Sequence, residues 1–82
     1  MKLILLKSAQ KELDDLDDKI ALRISNKILA LKGNPFGGNS KKLTGDKGYR
    51  IRIGDYRVVY TINKESQIIL IIKIGHRREI YR

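Results

Sequence analysis

One stretch constrains this chain more than any other: Tyr49-Arg50-Ile51-Arg52-Ile53-Gly54-Asp55-Tyr56-Arg57-Val58-Val59-Tyr60. Apolar and charged residues alternate on both sides of Gly54-Asp55, a dipeptide that accepts positive φ. The stretch therefore predicts a β-hairpin closed by a two-residue loop. That loop sets the register: Ile53 faces Tyr56, and Arg52 faces Arg57. Side chains alternate along a strand, so Arg50, Arg52 and Arg57 share one face, while Ile51, Ile53, Tyr56, Val58 and Tyr60 take the other. Like charges directly opposite each other are destabilising. A sheet that gathers these guanidinium groups against that cost points to a polyanion as what they hold.

The charge of the chain agrees. Residues 1–40 hold seven Lys/Arg and five Asp/Glu, and residues 41–82 hold eleven and four, so +7 of the formal +9 falls in the second half. Such asymmetry points to a nucleic acid or an acidic protein partner; the plain alternative is a solvated basic surface. The 82 residues suffice for one compact domain, residues 1–82, with 41% hydrophobic residues to build its core. No cysteine is present, which excludes disulfides and thiolate metal sites, and a lone histidine argues against a histidine-based zinc site. Met1 to Leu6 is too short for a cleavable signal and no run approaches a membrane span, so a soluble cytoplasmic protein is expected.

The other elements follow from local patterns. Lys2 to Lys7 has a strand-like composition and predicts an edge strand. Ser8 is a candidate cap for a short helix from Ala9, with Leu13 and Leu16 on its apolar side. Asp17 or Asp18 begins a longer helix to about Lys32, striped by Ile20, Ile24, Ile28 and Leu31, with Gly33 and Pro35 as its stop. The two helices predict a helical hairpin over one face of the sheet. Gly33 to Gly48 reads as a connector anchored by Phe36 and Leu43. It carries Lys41 and Lys42 but lacks the spacing of a phosphate-binding loop. Asn63-Lys64-Glu65-Ser66 predicts a second turn. The run Ile68 to Ile74 is apolar on both parities, as a central strand buried on both faces would be. Glu12, Asp14, Asp15, Asp17 and Asp18 read as caps and solvated helix faces, so no metal site is expected.

Arginine near a phosphate suits one chemistry well. Metal-free RNA cleavage uses the ribose 2′-hydroxyl as nucleophile. It needs a base for that proton, an acid for the leaving 5′-oxygen, and fixed positive charge where negative charge builds. Arginine supplies the charge and makes a poor base. The candidates for proton transfer are His76 and Tyr81. Histidine has the better intrinsic pKa. A tyrosine among arginines is pushed toward phenolate. Arg77 and Tyr81 lie four residues apart, as do Arg78 and Arg82. With a four-residue loop at Asn63–Ser66, even positions of the last strand share the arginine face, which favours His76 over Arg77. A three-residue loop, or a bulge at Gly75, reverses the assignment.

These stretches together carry a resemblance. Lys42-Leu43 with Gly45, Tyr49-Arg50-Ile51-Arg52, Tyr56-Arg57-Val58-Val59-Tyr60 and Gly75-His76-Arg77-Arg78-Glu79-Ile80-Tyr81 resemble the RelE/ParE superfamily of toxin–antitoxin toxins, specifically its RelE-like mRNA endonucleases. The resemblance implies an α+β fold: an N-terminal strand and helical hairpin on a twisted antiparallel sheet (β-α-α-β-β-β), with the C-terminal helix short or absent. It implies a ribosome-dependent endoribonuclease that leaves a cyclic phosphate and a 5′-hydroxyl. Arg57 would contact the phosphate, Arg77 would stabilise the transition state or donate a proton, and Tyr81 would act as base, with His76 as its rival. Arg50, Arg52, Lys41, Lys42, Arg78 and Arg82 would grip RNA. Arg50 and Arg52 stand where the family usually has lysines, which suits charge stabilisation better than base catalysis. No cofactor is implied. The implied partners are an acidic antitoxin, with the toxin a monomer within a hetero-oligomer, and message on the ribosome. The alternatives are a ParE-like toxin directed at DNA gyrase and a basic RNA-binding protein without chemistry.

Overall fold

A computed structural model describes residues 1–34 and 48–76 and the backbone of residues 41–42. The elements in chain order are β1 (Lys2–Leu5), α1 (Lys7–Asp14), α2 (Asp18–Leu31), β2 (Lys41–Lys42), β3 (Tyr49–Ile53), β4 (Tyr56–Asn63) and β5 (Ile68–His76). They form the expected α+β layering: a sheet of order β1-β5-β4-β3-β2 with both helices packed on one face. The sheet is antiparallel from β2 to β5, and β1 joins as an edge strand parallel to β5. Phe36, Leu43 and Pro35 lie outside the described residues.

The hairpin takes the predicted register, with Arg52 opposite Arg57 and Ile53 opposite Tyr56. Gly54 has φ +61, and Asp55 does not share the positive sign. This is the pattern of a II′ loop, in which glycine takes the first central position. The inward residues Ile51, Ile53, Val58 and Tyr60 meet Ile69, Ile71 and Ile74 of β5 and Ala9, Ile24, Ile28 and Leu31 of the helices in one buried cluster. Tyr60 is fully buried and stacks on Tyr49 across the strand pair, ring centroids 5.8 Å apart and 21° from parallel. Tyr49 and Tyr56 pack against the same cluster, as their parity with the isoleucines predicts.

Helix starts depart from the sequence reading in one place. Leu6, not Ser8, occupies the N-cap of α1, and it makes no side-chain cap bond. Tertiary pairing decides this. The Leu6 N–H donates to the Ile71 carbonyl at 3.0 Å, closing the end of β1 on β5, and the Leu6 carbonyl already accepts from Gln10 N at 2.9 Å. The helix therefore begins before Ser8. Of the two candidates Asp17 and Asp18, Asp17 caps α2, accepting from Lys19 N at 3.3 Å. Ile24, Ile28 and Leu31 carry its buried stripe, with Ile20 half-buried. No helix among the described residues is long and apolar enough to cross a membrane.

The second turn lies one residue later than predicted. Asn63 stays in β4 opposite Ile68, and Lys64 to Gln67 make the connection. Asn63 Oδ1 accepts from Glu65 N and Ser66 N at 3.0 and 3.1 Å, which closes the turn locally. Gln67 takes the left-handed conformation, φ +59, and its Nε2 donates to the Lys64 carbonyl at 2.7 Å. β5 is central in the sheet, but only its Ile69–Ile71–Ile74 side is buried under the helices. Ile68, Leu70 and Ile72 are half-buried.

Ile24 is the point at which α2 meets the sheet side of the core and is fully buried. Ile24→Ala removes three buried carbons from a small core, and urea unfolding should show a loss of about 3 kcal/mol.

Candidate nucleic-acid interface

The face of the sheet opposite the helices carries the arginines. Register places Arg52 beside Arg57, Arg50 beside Val59, Val59 beside Lys73, and Arg57 beside Gly75. Directly opposed side chains on one sheet face have Cβ atoms about 4.5–5.5 Å apart. Arg50, Arg52, Arg57 and Lys73 thus form one cationic patch over three adjacent strands. Arg52 Nε donates to the Gly54 carbonyl at 3.1 Å, and Arg57 Nη1 donates to the Tyr56 carbonyl at 3.3 Å. These bonds draw both side chains toward the hairpin loop. Arg52 and Lys73 are exposed, while Arg50 and Arg57 are half-buried. Lys41 occupies the register position opposite Arg50, and Lys42 the one opposite Tyr49.

A bulge decides which residues of β5 join the patch. Tyr60 pairs with Ile71 but Val59 pairs with Lys73, so Ile72 is the extra residue. Beyond it the parity of β5 is reversed. Gly75 falls opposite Arg57, and His76 falls opposite Tyr56 on the helix side of the sheet. A four-residue loop without a bulge puts even positions of β5 on the arginine face and favours His76, and a bulge is the stated alternative that reverses this. That placement is corrected by the bulge, which lies at Ile72 and not at Gly75. His76 instead meets the Tyr56 ring edge-on, centroids 5.6 Å apart and 80° between planes. With Glu12, Asp15, Leu16, Tyr56, Ile74 and Gly75 it lines an open cavity of about 290 Å³. Two carboxylates make that cavity a poor seat for a phosphate. Arg77, Arg78, Tyr81 and Arg82 lie outside the described residues.

Lys73 joins the patch and Arg23 reaches the hairpin tip from α2; the sequence pattern singled out neither. Lys73 interrupts an apolar run, and only the bulge puts it beside Val59 and the arginines. Arg23 is exposed on α2 and reaches the hairpin tip, where its Nη1 would lie 3.4 Å from a Cβ placed on Gly54. The spacing of α2 residues gives no sign of that contact. The acidic residues have separate local tasks: Asp17 caps α2, Asp14 accepts from Gln10 Nε2 at 3.0 Å, and Glu12 accepts from the Ile74 N–H at 3.2 Å.

The sheet face opposite the helices is divided. Arginines occupy its β3–β4 half, and Ile4, Ile68 and Leu70 line its β1–β5 half, with Ile4 paired to Leu70. Packing cations side by side on β3 and β4 has a measurable signature. Salt that shortens the Debye length from ~30 Å to ~3 Å should raise the thermal midpoint. In Arg52→Thr, which removes the directly opposed charge, that rise should be smaller; an equal rise in both proteins would contradict cross-strand repulsion.

Comparison with known proteins agrees with this architecture. Residues 3–81 match the family model of the ParE toxin of the type II toxin–antitoxin system parDE. A candidate toxin of Methanocaldococcus jannaschii named RelE1 is 36% identical over 80 residues, covering 93% of this chain and 89% of that protein. Among solved structures, the archaeal RelE–RelB complex of Pyrococcus horikoshii OT3 superposes with a TM-score of 0.78 at 29% identity, covering 93% of each chain. The RelBE2 toxin–antitoxin complex of Mycobacterium tuberculosis superposes with a TM-score of 0.83, covering 93% of this chain and 96% of that one, and at 23% identity it shows the fold. The matched family model, the RelE1 relative and the shared fold lead to one conclusion: this chain belongs to the RelE/ParE superfamily of type II toxin–antitoxin toxins.

Proposed function

We propose that this toxin is a ribosome-dependent endoribonuclease that cuts messenger RNA by attack of the ribose 2′-hydroxyl. The observation that carries the reading is the convergence of Arg50, Arg52, Arg57 and Lys73 on the sheet face opposite the helices. In the reaction the 2′-oxygen bonds to phosphorus, the bond to the 5′-oxygen breaks, and negative charge builds on the non-bridging oxygens. Guanidinium groups held in place by the sheet match those oxygens and need no reorganisation as the charge grows. The products are a 2′,3′-cyclic phosphate and a 5′-hydroxyl. Arg57, between Arg52 and the side-chain-free position of Gly75, is the phosphate ligand; Arg50, Arg52 and Lys73 grip the flanking backbone.

Among the described strand residues of that face, none is a carboxylate or an imidazole. His76 points its register to Tyr56 on the other side. Tyr81 therefore takes the role of base in this reading, with Arg77 donating to the leaving oxygen. Among the described residues the patch offers cations only, which is consistent with chemistry that needs the ribosome to orient the message. The partner in the resting state is an acidic, partly apolar antitoxin segment. Its carboxylates suit the arginine half of the face opposite the helices, and its apolar side chains suit Ile4, Ile68 and Leu70. Several structural relatives are toxin–antitoxin complexes, which supports such a partner.

The name of the matched family model favours a second reading, a gyrase-directed toxin without nuclease activity. Message integrity in a translating extract, measured beside DNA supercoiling, separates the two. Under the nuclease reading, Arg57→Ala lowers single-turnover cleavage by about 10²–10³-fold. A 2′-deoxy nucleotide at the scissile position blocks it. Tyr81→Phe should lower the rate more than His76→Ala with ribosome binding intact. The opposite order, or Arg57→Ala at the wild-type rate, contradicts the assigned roles.

A further inference from the structure

β5 outruns its neighbour. It extends over Ile68–His76, yet β1 pairs with it only as far as Leu5 opposite Ile71, where Leu6 N closes the ladder on the Ile71 carbonyl. The bulge at Ile72 follows at once. Past it, the side of β5 that faced β1 has no strand among the described residues. Buried backbone amides need partners, and Ile74 is only 1% exposed. Its N–H donates to Glu12 Oε1 at 3.2 Å, across 62 positions of sequence. A helix side chain thus stands in for the missing strand.

The place of this bond matters. Ile74 pairs with Val58, and the next residue, Gly75, pairs with Arg57. Glu12 sits in α1, whose Ala9 is fully buried in the core and whose start is tied to β5 through Leu6. The helix is therefore a fixed reference, and the overhanging strand end is the part that needs holding. We propose that Glu12 is a positioning residue of the arginine face: its carboxylate clamps the overhang of β5 and keeps Gly75 at the height at which Arg57 meets the phosphate. This rests on the nuclease reading above. The bond requires an acceptor oxygen and not a negative charge, which distinguishes it from a surface ion pair.

Glu12→Ala and Glu12→Gln test the claim. Amide exchange at Ile74 and the amide shifts of Gly75 and Arg57 are followed by NMR, beside single-turnover cleavage and ribosome binding. In Glu12→Ala, exchange at Ile74 should accelerate at least about tenfold, and both shifts should move. Cleavage should fall roughly ten- to hundredfold with ribosome affinity unchanged, because a small displacement of a reacting geometry is costly. Glu12→Gln keeps an acceptor oxygen and should restore all of these. Three results overturn the proposal: unaltered Ile74 exchange in Glu12→Ala, wild-type cleavage by Glu12→Ala despite fast exchange, or Glu12→Gln as impaired as Glu12→Ala. If wild-type protein leaves the message intact, the nuclease reading fails by itself. The Gly75 and Arg57 shifts then decide the clamp alone: movement in Glu12→Ala supports it, and unmoved shifts overturn it.

Discussion

The pairing of β4 with β5 is the constraint on which the rest depends. Its single extra residue at Ile72 lets the strand serve two faces in turn. On the turn side of the bulge, Ile69 and Ile71 fill the core. On the far side, Ile74 takes over that task while Lys73 and Gly75 come round to the arginines. Without the bulge, Ile74 would be opposite Arg57, His76 would fall on the arginine face at the level of Asp55, and Gly75 would lie under the helices opposite Tyr56. A bulge also bends and twists its strand, which suits a strand that must leave β1 and continue with β4 as its one strand neighbour among the described residues. The clamp from Glu12 to Ile74 belongs to the same local solution.

The two faces of the sheet answer different demands. The helix face is a closed apolar cluster with no buried side-chain polar atom left unpartnered among the described residues. The opposite face keeps like charges directly opposed on β3 and β4, a choice that favours a ligand over stability. Nothing in the hairpin forces arginine at Arg52 and Arg57 together; a threonine would fit either position in a strand. Burial on one side supplies the stability that lets the other side carry unfavourable charge. The apolar half of that opposite face extends the same logic, because a partner that covers both halves would relieve the repulsion and bury Ile4 together.

Much of this was legible in the sequence where the signal is local. The Gly54-Asp55 loop has two residues, and that alone fixes the hairpin register and the face shared by Arg50, Arg52 and Arg57. The isoleucine stripe of α2 and the Asp17 cap are equally local. Most of what was not legible depends on contacts between distant parts; the turn shift at Asn63 is the local exception. Ser8 looks like a cap, but Leu6 is held by Ile71 and the helix starts earlier. The turn after β4 moves by one residue because Asn63 bonds forward into it. The bulge has no marker in the run Ile68 to Ile74, so neither the placement of Lys73 nor the side taken by His76 could be read. Arg23 reaches Gly54 only because α2 crosses the sheet at that point.

The central claim is that the arginine face is the surface that meets RNA at the moment of cutting. Arginine-selective dicarbonyl labelling, read by mass spectrometry, tests it directly. The protein would be bound to translating ribosomes whose message carries a 2′-deoxy nucleotide at the cutting position, so that the complex persists. Arg50, Arg52 and Arg57 should lose reactivity in that complex relative to the free toxin. If all three stay as reactive as in the free toxin while the toxin is bound, the face is not the RNA interface and the account fails.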